Sequence, residues 1–160
     1  MNMYRVAKYD LSGYIDGIYT RDEWTDYSDI GKVFNGEKLK KERYLAVESN
    51  YIQVAQDIFA KSQQKEISIM NLQKNQAHLL WENNQTVDKT QLAEIIRDCL
   101  RNRCWCRLSA EEFYIHFGYD FYMYIGCPLS YKTVTQICNE NQLYVTKQES
   151  PYLTIDQGEF

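Results

Sequence analysis

An α+β fold in a single domain, residues 1–160, is what this sequence predicts. Three observations carry the expectation. Three stretches, after residues 39, 88 and 130, space their apolar residues three and four apart, as helices do. Between residues 104 and 127 apolar residues instead alternate, as in strands. The strand blocks run on without helices between them, which implies a three-strand meander in an antiparallel-rich sheet. Only two prolines occur, no linker-like composition interrupts the chain, and no internal repeat is visible.

The elements follow in order. "MYRVAKY" (Met3 to Tyr9) alternates and reads as a first strand. Gly13 and Gly17 mark turns in "SGYIDGIYT". Ser28 is placed to cap a short helical piece running to Phe34, with Gly36 as its stop. In "LKKERYLAVESNYIQVAQDIFAKS" the residues Tyr44, Val47, Tyr51, Ile52, Ala55 and Ile58 form one stripe, joined by Leu45 and Phe59, and predict the longest helix.

"EISIMNL" then reads as a strand with Ile67, Ile69 and Asn71 on one side and Ser68, Met70 and Leu72 on the other. Residues 77–85 give no clear periodicity. Asp88 or Thr90 caps a second helix whose stripe is Leu92, Ile95, Ile96, Cys99 and Leu100. "CWCRL", "FYIHF" and "FYMYIGC" are the three meander strands. Ser130 caps the last helix, "YKTVTQICNENQ", and "LYVTK" is the final strand.

Composition narrows the function classes. The chain is 44% hydrophobic and 25% charged, which suffices for a packed core. Its net charge of −4 is uneven, acidic at both ends and mildly basic in the middle. Direct nucleic-acid binding is not expected of that balance. The densest basic run, Lys38, Lys40, Lys41 and Arg43, is offset by Glu37 and Glu42 and reads as a solvated helix face. No apolar run approaches the roughly 20 residues that span a bilayer. With no signal-peptide pattern and an odd count of five cysteines, reduced thiols and a cytoplasmic location are expected.

The cysteine spacing is not that of a zinc ribbon, so no metal is expected. Phosphate-binding glycine loops and hydrolase or metalloprotease motifs are missing too, so no cofactor is expected.

Two surfaces stand out. In "FYIHFGYDFYMYIGC" the residues Phe113, Ile115, Phe117, Phe121, Met123 and Ile125 share one face and predict core. Tyr114, His116, Tyr122 and Tyr124 share the other, with Asp120 near the tip. A three-residue loop at Gly118–Asp120 would set Phe117 opposite Phe121 and His116 opposite Tyr122. Tyrosines favour surfaces that are buried on binding, whereas the plainer reading has helices covering this face too. Asp22, Asp26 and Asp29 cluster around Trp24 and Tyr27 as an acidic loop, suited either to solvent or to a basic partner.

In size, charge, architecture and aromatic pattern the chain resembles the small immunity proteins that bacteria keep against toxins delivered by neighbouring cells. That resemblance implies a non-catalytic binder of a protein partner, often a basic toxin domain, and assigns no residue roles. Its binding surface would combine Tyr114, His116, Asp120, Tyr122 and Tyr124 with Asp22, Asp26 and Asp29. The alternative is a small cytosolic enzyme using His116 with neighbouring Tyr or Asp as acid–base groups. A deep pocket around His116 would favour the enzyme, and a broad exposed Tyr and acid surface would favour the binder.

Overall fold

The computed structural model describes residues 1–154. Its strands are β1 (Asn2–Ala7), β2 (Tyr14–Ile15), β3 (Ile18–Tyr19), β4 (Val33–Phe34), β5 (Glu37–Lys38), β6 (Ile67–Lys74), β7 (Thr86–Val87), β8 (Cys104–Ala110), β9 (Phe113–Phe117), β10 (Met123–Cys127) and β11 (Tyr144–Lys147). Its helices are α1 (Lys41–Lys61), α2 (Lys89–Leu100) and α3 (Tyr131–Glu140). Seven strands form one sheet in the order β11-β1-β10-β9-β8-β6-β7, with every neighbouring pair antiparallel. The fold is α+β, as expected, and β8, β9 and β10 form the meander.

The three helices lie on one face of the sheet. Phe59 of α1 meets Phe113 edge-on, with ring centroids 5.7 Å apart. Cys99 of α2 lies 3.9 Å from the Cys104 sulfur and 3.7 Å from that of Cys106. All three are free thiols in the core, as are Cys127 and Cys138. Phe113, Ile115, Phe117, Phe121, Met123 and Ile125 are all buried, as the alternation required.

Helix boundaries follow local chemistry. The Asp88 carboxylate accepts from the Gln91 backbone amide, and the Gln91 side-chain oxygen in turn accepts from the Asp88 backbone amide. Ser130 accepts from the Thr133 amide at the start of α3.

Several local expectations are corrected. Ser28 does not cap a helix. Asp26 does the capping, over a single 3₁₀ turn at Tyr27–Asp29, and Val33–Phe34 then turns back onto Glu37–Lys38. Asn35 and Gly36 form that turn with φ of 49° and 80°. Asn71 leaves the side of Ile67 and Ile69, because a bulge after Met70 gives it φ 53°. Its side-chain oxygen accepts from Arg107 Nε at 2.7 Å. Strand β7, which lacks a readable period, pairs with the start of β6.

The hairpin register also differs. Phe117 pairs with Met123, His116 with Tyr124 and Ile115 with Ile125, two residues away from the expected alignment. The connection therefore spans Gly118–Tyr122 and contains a 3₁₀ turn in which Asp120 and Phe121 both take positive φ. A shift of two preserves parity, so the face assignment survives. The turn has a reason in packing: it drives the Phe121 ring into the core against Trp24, Tyr44 and Tyr51 at 4.9–5.9 Å.

Candidate functional site

The second face of the sheet is covered too, by chain rather than by helix. After β11 the segment 148–154 crosses this face as a strap. The Gln148 amide donates to the Met3 carbonyl over β1. Ser150 Oγ lies 2.7 Å from His116 Nδ1 over β9. The Tyr152 carbonyl accepts from Arg107 over β8 at 3.1 Å. Beneath the strap Tyr114 stacks on His116, with centroids 4.3 Å apart.

The expected exposed Tyr/His surface is therefore corrected in part. Tyr114 is 3% exposed, His116 2% and Tyr124 7%. Tyr122 is half-buried, its hydroxyl 2.6 Å from that of Tyr14 and its ring 4.6 Å from the Arg5 guanidinium. Of this predicted set, Asp120 alone is exposed. Burial, and then the Arg107 charge, push the His116 pKa down to about 3, so the imidazole stays neutral at ordinary pH.

The acidic loop is likewise used locally. Asp22 accepts from the Asn35 amide at 2.7 Å. Asp29 accepts from the Thr25 amide at 2.9 Å and from Lys32 at 3.1 Å. Burial opposes its charge, but these donors outweigh that and hold its pKa below the usual carboxylate value. Asp26 accepts from the Ser28 amide and hydroxyl on one oxygen and from the Asn102 side chain on the other.

What the tertiary structure does bring together is Asp26 and the hairpin tip. The Tyr9 hydroxyl donates to the Asp120 carbonyl at 2.5 Å and lies 3.5 Å from the Trp24 carbonyl, tying the loop to the tip. Between them opens a cleft of about 550 Å³ at one end of the sheet. Its apolar wall is Leu100, Trp105, Phe117 and Phe121. The hairpin contributes Tyr119, Asp120 and Tyr122, and the strap contributes Tyr152. Asp26, Gln73, Asn75 and Asn102 supply the remaining polar groups. Tyr119 is 86% exposed at the mouth.

The predicted site residues thus divide. Asp26, Asp120 and Tyr122 line the cleft; Tyr114, His116, Tyr124, Asp22 and Asp29 do not. Trp105, Tyr119 and Tyr152 were not singled out from sequence. Tyr119 had a local signal, its place in the hairpin tip "GYD", whereas Tyr152 arrives only because the strap folds back.

A second polar centre supports this end of the fold. Glu48 sits 2% exposed on the inner side of α1. It takes two 2.8 Å bonds from Arg101 and one of 2.6 Å from the Tyr44 hydroxyl, with Arg97 at 3.4 Å. The Arg101 guanidinium also lies 4.9 Å from the Tyr27 ring centroid. These contacts lock the end of α2, where Asn102 reaches the cleft, to α1 and the acidic loop.

Among the described residues no helix is long and apolar enough to cross a membrane, and no group of three or more His, Cys, Asp or Glu side chains is arranged to hold a metal ion. The sequence matches no protein family, and no curated protein or solved structure shows significant similarity to it.

Proposed function

We propose that this chain is a non-catalytic binding protein of the immunity kind, which neutralises a basic toxin domain by docking it over the cleft. One observation carries the reading. The cleft joins exposed tyrosine and exposed acid, Tyr119 and Asp120, to Asp26, and among the described residues no Lys, Arg or His lines it. Aromatic area anchors a partner, and carboxylates steer a basic one. The enzyme reading built on His116 loses its geometric support, because that imidazole faces Ser150 beneath the strap and does not border the cleft.

The test is co-expression with the reading frame beside this gene, followed by co-purification and a growth-rescue assay. Stable co-purification and rescue, both lost in a Tyr119→Ala/Asp120→Lys double variant that still folds, are the expected result. Rescue that persists in this variant, or turnover of a small molecule abolished by it, would overturn the proposal.

A further inference from the structure

We infer that the cleft is a receptor for one arginine side chain presented by a protein partner, an inference that rests on the binding reading above and narrows it. The charged groups of the cleft are all acceptors: among the described residues its lining carries the carboxylates of Asp26 and Asp120 and no cation. Asn75 Nδ2 already donates to the Asn102 carbonyl at 2.8 Å, and Asn102 Nδ2 donates to Asp26. The Trp105 indole N–H donates to the Phe117 carbonyl at 2.9 Å. On these lining residues the carboxylates of Asp26 and Asp120 and the amide oxygens of Asn75 and Asn102 can only accept.

A ligand that matches must be rich in donors and positively charged. Guanidinium has five N–H donors, no acceptor and a planar face that stacks on aromatic rings. The exposed ring of Tyr119 at the mouth offers such a face. The fold already uses this pairing nearby, where the Arg5 guanidinium lies 4.6 Å from the Tyr122 ring centroid. An anion is repelled by the two carboxylates. The chain's own residues 155–160 carry Asp156 and Glu159 and no base, the wrong sign for this cleft. A volume of about 550 Å³ admits an arginine with part of its flanking backbone.

The experiment titrates the full chain with N-acetyl-L-argininamide and follows the Trp105 indole resonance by heteronuclear NMR. N-acetyl-L-citrullinamide, nearly isosteric and neutral, is the comparison. A saturable shift with the arginine probe, at least fivefold weaker with citrulline and in Asp120→Asn, is expected. Asp57→Asn, an acid on α1 outside the cleft lining, is expected to leave it unchanged. Equal binding of both probes, or no saturable shift in a folded parent, overturns the inference. The two proposals fail separately. A toxin domain that binds through Tyr119 while the arginine probe does not sinks the arginine receptor alone. An arginine probe that binds the parent while the toxin domain binds the Tyr119→Ala/Asp120→Lys variant as tightly as the parent sinks the docking reading alone.

Discussion

His116 shows how one side chain couples burial to pH. Its pKa falls to about 3 when folded and lies near 6.5 when the chain is unfolded. Between those values the unfolded chain holds the extra proton. Stability is therefore full above pH 6.5 and is lost as pH falls through the window toward 3. Each pH unit inside the window costs about 1.4 kcal/mol. Urea unfolding at pH 7 and pH 5 should reveal a loss of about 2 kcal/mol, and most of it should vanish in His116→Gln. An unchanged pH dependence in that variant would mean the imidazole is not held neutral. Glu48 is the opposite case, a buried charge kept because it is paired. Glu48→Ala strands Arg101 and the Tyr44 hydroxyl and should cost about 3 kcal/mol in chemical denaturation.

Among the elements, the strap is the one whose loss is easiest to read. Ser150→Ala removes the partner of a buried imidazole nitrogen and should cost about 1–3 kcal/mol. It should also speed amide exchange in 148–154 while leaving exchange on the helix side of the sheet unaffected. Uniform acceleration would instead make the strap part of the global unfolding unit. The hairpin has its own test at Gly126, where an added Cβ would come within 2.2 Å of the Tyr114 ring and 2.6 Å of the Met1 sulfur. The ring has nowhere to go beneath the strap, so Gly126→Ala should cost about 1–3 kcal/mol in thermal or urea unfolding.

At the scale of the whole molecule, charge and thiols are the readable properties. All five cysteines are buried, and burial alone pushes Cys138 up to about 12. The native protein should resist a thiol reagent near neutral pH, and the denatured protein should titrate five groups. Prompt reaction of the native form would place at least one sulfur nearer solvent than the fold does. With net charge −4 and two carboxylates on the cleft, association with a basic partner should be steered. Asp120→Asn should slow the on-rate more than it raises the off-rate, and the difference should shrink at high salt in stopped-flow measurements.

The class of fold, the three helices, the meander and the two-faced hairpin were all determined by the sequence alone. Each rests on a short-range period or a cap, such as Asp88 with Gln91, that neighbouring residues express by themselves. The candidate site was legible only in halves. Asp26 and Asp120 were each visible as acids beside aromatics, but nothing local says that Tyr9 binds one loop to the other. The fate of the tyrosine face was decided by tertiary structure. Alternation states that Tyr114, His116 and Tyr124 share a side, and it cannot state what lies over that side. Covering depends on where a remote segment comes to rest. Here residues 148–154 cross the face, exchange solvent for Ser150 and Tyr152, and leave the hairpin tip, rather than the strand face, exposed.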